Sequence, residues 1–336
     1  MRLLGARGFS AALNQTHASS STVKIKRILG IVGIVVVVLA GIAYHFLFGY
    51  IVVQNVDGPV TVLQRKNVLH QIGANVTVYA GSEETIVVDT QLKPMASSTR
   101  SKVEALSKAP ITKVIVTHWH PDHSGGISSF SIDTEVIAHI NVLKRLSMPQ
   151  EGFGLTKPRS HHEFAARSTD GLPNKMVESR LQFPVGATTV DVVHYPHAHT
   201  DGDLAVFFHE SEIVVLGDLI WPKSFPFVDV HNGGSVEGLE SALQAIIQQS
   251  KPSYRFVPGH GATLTFDDVV EYLELVSQSR HWVESRLDDG RSVNQVIESG
   301  LPGNWEQWDS PLVPTTVWIK MIYDSRTIPT EAIPRP

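Results

Sequence analysis

The chain has 336 residues, 28 Lys and Arg against 33 Asp and Glu, and a net charge of −5; with no extended basic stripe, this balance argues against a nucleic-acid partner. It contains no cysteine, which removes disulfides, thiolate ligands and a cysteine nucleophile. Apolar residues make up 42%, ordinary for one large domain or two small ones with a membrane segment attached, and many of the histidines cluster between His118 and His260.

Residues 1–27 carry Arg2, Arg7, Lys24, Lys26 and Arg27 and no acid, and read as a basic, disordered, cytoplasmic N-terminus. From Ile28 to Val53 the chain is nearly all apolar, with His45 the exception. About 20 apolar residues span a bilayer, so residues 28–53 are expected to form one transmembrane helix, with Tyr44 and Tyr50 at interfacial positions. The basic residues before this segment outweigh Arg65 and Lys66 after it. The positive-inside rule then keeps the N-terminus in the cytoplasm and carries the rest across. For a bacterium this means a single pass of the inner membrane and a periplasmic or otherwise extracytoplasmic domain. Two alternatives stay open. Gly41-Ile42-Ala43 fits a signal-peptide cleavage site, giving a secreted protein, and the acid-free, Arg- and Ser-containing first 22 residues fit a mitochondrial presequence.

The folded domain is expected over residues 54–300. Val76–Tyr79 and Thr85–Val88 flank Ala80–Glu84 and predict a strand pair. Met95–Leu106 reads as helix. Ile111–Val116 is a short apolar run that reads as a buried strand, and strands alternating with helices indicate an α/β domain. Directly after that strand comes Thr117-His118-Trp119-His120-Pro121-Asp122-His123-Ser124-Gly125-Gly126. Imidazole and carboxylate are the ligands that zinc and similar ions take. On a helix His118 and His120 would lie on nearly opposite sides; on a loop leaving a strand both can address one ion, while Asp122 and His123 reach a second. The glycines allow the tight turn that follows.

This His-x-His-x-Asp-His run at a strand end resembles the signature of the metallo-β-lactamase fold superfamily. The resemblance implies a four-layer αββα sandwich, two similar halves with their sheets face to face and helices outside, here preceded by the transmembrane helix. It also implies further ligands. His199-Thr200-Asp201-Gly202-Asp203 matches the family pattern of a histidine before Ser or Thr and a turn, better than the neighbouring His194 and His197. Gly217-Asp218-Leu219 after the strand Ile213–Leu216 resembles the bridging carboxylate. Pro258-Gly259-His260 matches the last ligand. The resemblance thus assigns His118, His120 and His199 to one ion and Asp122, His123 and His260 to a second, with Asp218 between them. With no cysteine, the set is of the glyoxalase II type. It covers residues from about 67 to 270.

Two divalent ions can lower the pKa of a shared water toward neutrality, and the implied activity is hydrolysis of a small ester, thioester, lactone or lactam by the resulting metal-bound hydroxide. The expected cofactors are two Zn2+ per chain, with Fe or Mn as substitutes. Asp122 is the candidate catalytic residue, orienting the nucleophile or moving its proton. Asp89, at a strand end, reads equally as an acceptor for a ligand imidazole or as a turn residue. Trp119, Trp221 and Lys223 are candidate substrate contacts at an apolar rim, with Lys223 suited to a carboxylate. Asp229–Gly234 follows in the same loop with no role read for it. Residues 141–177 form a long excursion containing His161 and His162. Phe266–Ser285 reads as a packing helix, and residues 301–336 as a Trp- and Pro-containing tail. Alternatives to the hydrolase are an iron-dependent oxidoreductase on the same fold and a non-catalytic metal-binding accessory protein.

Overall fold

The computed structural model describes residues 26, 28–41, 50–66, 73–131, 133–152, 159–164, 167–186 and 188–328, and the chain divides into two units. In the first, residues 28–41 form helix α1, whose Ile, Val and Leu side chains are exposed, Val37 by 70%. Among the described residues no helix is long and apolar enough to cross a membrane: residues 28–41 amount to about 21 Å of helix, against about 30 Å of bilayer hydrocarbon. The expected span over residues 28–53 is corrected at its far end. Residues 42–49 lie outside the described residues, and Tyr50–Asp57 form strand β1. Exposed and half-buried positions alternate along most of β1, the period of two that a strand imposes. The basic segment expected over residues 1–27 lies outside the described residues except for Lys26.

The second unit carries two large sheets. β1 is followed by β2 (Val60–Lys66), β3 (Val76–Ala80), β4 (Thr85–Val88), β5 (Ile111–Ile115) and β6 (Glu135–His139). Strands β7 (Gln150–Gly152) and β8 (Arg159–Phe164) pair with each other, and β9 (Lys175–Val177) closes a seven-stranded sheet ordered β1-β2-β3-β4-β5-β6-β9. The second sheet holds β10 (Arg180–Val185), β11 (Thr188–Tyr195), β12 (Asp203–Phe208), β13 (Ile213–Gly217) and β14 (Arg255–Pro258) in chain order. The predicted strand pair appears as antiparallel β3 and β4, and the strand before the histidines as β5, parallel to β4.

Alternation along the strands builds the layers. On β12, Leu204, Val206 and Phe208 face one way, against Val60, Val62, Ile86, Val88 and Ile115 of the first sheet. Ala205 and Phe207 face the other way, into helices α6 (Val236–Gln249) and α7 (Phe266–Asp288). On the first sheet, Val87 and Val114 face outward onto α2 (Ala96–Leu106), α4 (Ile127–Phe130) and α5 (Ile140–Ser147). The order is helix, sheet, sheet, helix, and each fully buried aliphatic side chain stabilises it by about 1.5–3 kcal/mol.

The described part of the C-terminal segment, residues 301–328, packs into the outer core. After α8 (Val293–Ser299), Trp305 and α9 (Thr315–Thr327) enter the outer core: Trp318 stacks on Phe225 at 5.8 Å and its indole N–H donates to Ser279 Oγ at 3.0 Å. An apolar face with three tryptophans in the final forty residues favours burial over exposure.

Candidate metal centre

All the candidate ligands lie in segments that leave or join strands at one edge of the sandwich. His118–His123 follow β5 and run into the short helix α3 (Pro121–Ser124). His199 lies in the turn joining β11 to β12, Asp218 follows β13, and His260 follows β14. Backbone bonds tie these segments together: Leu204 N–H donates to Thr117 O at 2.8 Å, and Gly259 N–H to Gly217 O at 2.6 Å. Gly259 has to be glycine, because a Cβ there would collide with Asp218 Oδ1. Gly217 turns with φ +54° beneath Thr117, which a side chain would strike at 2.7 Å.

The structure brings all seven residues together in two groups, His118, His120, His199 and Asp218 in one and Asp122, His123 and His260 in the other, with the ligating atoms of each group within 4.8 Å of one another. Asp218 lies between them. Its Oδ2 is 3.9 Å from His118 Nε2, 3.8 Å from His199 Nε2 and 3.6 Å from His260 Nε2, and its Oδ1 is 3.1 Å from His123 Nε2. Asp122 Oδ2 is 3.1 Å from His260 Nε2.

The ring nitrogens that face away from the centre define the tautomers. Asp89 Oδ2 accepts from His123 Nδ1 at 2.7 Å. The Thr117 hydroxyl donates to the same carboxylate at 2.9 Å, leaving its oxygen to accept from His118 Nδ1 at 3.1 Å. Phe227 O accepts from His199 Nδ1 at 2.7 Å, and Asp229 Oδ2 accepts from His120 Nε2 at 2.9 Å. His118 Nε2, His123 Nε2, His199 Nε2 and His120 Nδ1 are thereby turned inward; the last two are 3.0 Å apart. Asp89, for which the residue pattern left two readings, is an acceptor for a candidate ligand.

Charge divides the centre. Burial, reinforced by His123, His120 and His199, pushes His118 well below the ordinary imidazole value, and burial next to His120 brings His199 down to about 4. Burial also opposes charge on His123 and His260, but Asp218 and its neighbouring carboxylates outweigh it, raising His123 well above the ordinary value and His260 to about 9. Burial pushes the Asp122 carboxyl up, yet His123 and His260 hold it at about 2. The donor set fits a pair of divalent cations: His118 Nε2, His123 Nε2, His260 Nε2 and Asp218 Oδ1 are buried without a directed hydrogen bond, a costly arrangement unless a cation supplies the missing partner.

The expected rim needs correction. Trp119 is 1% exposed and packs in the core with Val116, Ile127 and Phe130, because consecutive residues in an extended segment point to opposite sides and its two histidine neighbours face the centre. Trp221 does lie against the site, stacked on His260 at 4.3 Å. Phe227 lies against His199 at 5.6 Å and His120 at 6.1 Å. Lys223 is exposed at a turn with φ +61°. His197 Nδ1 donates to Gly233 O at 2.9 Å, and His194 stacks on His139 at 3.5 Å; neither belongs to the two groups. The side chains of His161 and His162 lie outside the described residues.

Two supports escaped the residue pattern. Asp229 is one. The other is Asn75, whose Nδ2 donates to Pro258 O at 2.8 Å and Gly261 O at 3.0 Å, with Gln64 Nε2 also on Gly261 O at 2.7 Å. These amides clamp the His260 turn to the first sheet from 183 to 197 residues away, and no local signal marks them.

A sequence model described as the metallo-beta-lactamase superfamily matches residues 71–260. A beta-lactamase-like protein 2 homolog of Caenorhabditis elegans is 24% identical over 72% of this chain and 68% of its own length. An atrochrysone carboxyl ACP thioesterase of Aspergillus fumigatus is 23% identical over 67% of this chain and 44% of its own length. In three dimensions, a metallo-beta-lactamase from Pontibacter korlensis superposes with TM-score 0.56 at 16% identity, covering 68% of this chain and 99% of that one; this likeness concerns the fold.

Proposed function

The chain belongs to the metallo-beta-lactamase superfamily, and on that premise we propose that it is a binuclear metal-dependent hydrolase acting on a small acyl substrate, with thioesters and esters ahead of lactones and lactams. The observation that carries this reading is the inward convergence of seven N and O donors, four of whose rings have their outer nitrogens engaged by Asp89, Thr117, Phe227 and Asp229. His118, His120 and His199 would hold one ion and Asp122, His123 and His260 the other, with Asp218 shared. When bound, such ions polarise a carbonyl and bring the pKa of water toward neutrality.

The protein's own contribution is placement. Asp122 is the member of the centre with the most access to solvent, its side chain 21% exposed. Its Oδ2 faces His260 and His123, and we assign Oδ1 to orient the attacking water toward the acyl carbon. Trp221 and Phe227 would form an apolar wall against the acyl chain, which the low polarity of a thioester suits; the thioesterase among the relatives supports testing that class first. The exposed apolar helix α1 supports attachment to a membrane.

The test is elemental analysis of the full chain, isolated in detergent, beside Asp218→Ala, followed by an assay of acyl thioesters. About two zinc ions per chain, lost in the variant, together with thioester turnover, bear the reading out. Stoichiometric iron and oxygen consumption redirect it to redox chemistry. A folded protein with no bound metal overturns it in favour of an accessory role.

A further inference from the structure

Asp229 is 3% exposed, 109 residues from His120 in sequence, and joined to it at 2.9 Å. It does not act alone. Asn232 Nδ2 donates to Asp229 Oδ1 at 3.0 Å and Oδ2 at 2.8 Å. Asn232 Oδ1 in turn accepts from Arg145 Nη1 at 2.8 Å, and Arg145 Nη2 donates to Asn232 O at 2.7 Å. Arg145 Nε is anchored on Asp201 Oδ1 at 2.7 Å. The same loop accepts His199 Nδ1 at Phe227 O, and Asp229 N–H donates to His199 O at 2.8 Å. A buried chain therefore runs from α5 through Asn232 and Asp229 to the second histidine of the first group.

The direction of every bond in that chain is dictated at its two ends. A guanidinium only donates, so the amide oxygen of Asn232 must turn to Arg145 and its NH2 to position 229. A carboxylate at 229 only accepts, so His120 must carry its proton on Nε2 and present Nδ1 to the centre. We infer that Asp229 is a positioning residue that selects the metal-binding tautomer of His120, and that Arg145 holds it in register through Asn232. This rests on the metal-centre reading above. It assigns no contact with substrate to either residue.

The polarity of the chain provides a test that size alone cannot mimic. Asp229→Asn places an NH2 against the NH2 of Asn232, or else turns an NH2 toward His120; either way one link breaks although the shape is kept. Asn232→Asp combined with Asp229→Asn restores one bond at each step of the chain: Arg145 donates to the new carboxylate, the amide NH2 at 229 donates to it as well, and the amide oxygen at 229 accepts from His120 Nε2. The measurements are ion affinity and stoichiometry by competition with a chromophoric chelator on the full-length protein, and the 15N shifts of the His120 ring in metal-free protein. We expect Asp229→Asn to weaken one of two ions by about 10- to 100-fold while leaving the other in place, to mix the His120 tautomers, and to be largely rescued in the double variant. Two ions held by Asp229→Asn with wild-type affinity and an unchanged His120 tautomer overturn the inference alone. A double variant no better than Asp229→Asn, with both folded, also overturns it. Wild-type protein that takes up no ion overturns the metal-centre reading and this inference together.

Discussion

His118 and His199 lie where burial and neighbouring imidazoles oppose positive charge, whereas His123 and His260 face the carboxylates Asp122 and Asp218. Both pairs sit on strand-end segments of one edge, so the fold does not distinguish them. What differs is the company each keeps. The first group presents rings whose outer nitrogens are held from behind by Phe227, Asp229 and Thr117. The second is acidic and draws protons onto its histidines until a cation replaces them. One edge of one sandwich thus offers two electrostatic environments a few ångströms apart, and Asp218 belongs to both.

The hardest blow to this division is Asp218→Ala, which removes the member common to both sides. Fewer than one ion per chain and loss of acyl turnover are expected, read by elemental analysis and assay; retention of two ions would show that Asp218 does not join the groups. Gly259→Ala comes next. Its Cβ meets Asp218 Oδ1 and comes within 2.7 Å of His123 Cε1, so urea denaturation should show a loss of about 1–3 kcal/mol from overpacking, with weaker ion binding mainly on the acidic side. Asn75→Ala should sharpen the contrast. It frees only the His260 turn, costing about 0.5–1.5 kcal/mol for each hydrogen bond lost and lowering the affinity for one ion while the other is unchanged; equal weakening of both would contradict the division.

The smallest effect lies outside both groups. Burial next to His194 depresses His139 to about 3, and burial lowers His194 as well. Histidines kept neutral by folding contribute stability that is fully present above their unfolded value near 6.5 and is lost as pH falls toward the folded value. Unfolding midpoints should therefore drop between pH 6.5 and about 3. His139→Gln should flatten that slope with little change at pH 7.5, as urea titrations at several pH values would reveal.

Much of the centre was legible in the residues. The His118–His123 run, His199, Asp218 and His260 each follow or precede a short apolar strand, and a loop after a strand is a local feature that spacing can mark. The strand pair before Asp89 and the helix beginning at Phe266 were legible for the same reason, since period and caps lie within a few residues of one another. Trp119 was misread as rim although its place between two inward histidines already turns it away. The reading of residues 28–53 as one span ran an apolar count through Tyr50–Val53, where strand pairing prevails.

Other features could be decided only by the folded chain. Asp229 and Asn75 act on ligands more than a hundred residues away, and a hydrogen bond between distant loops leaves no periodic trace in either. The same holds for Arg145, whose partners Asp201 and Asn232 come from two further loops, and for Trp318, buried only because Phe225 and Ser279 are brought to it. The sequence determined which side chains can bind an ion, because ligand chemistry and strand-end spacing are local. The tertiary structure decided which nitrogen of His120, His123 and His199 faces the centre, because the acceptor behind each of these rings is supplied by a distant segment of the chain.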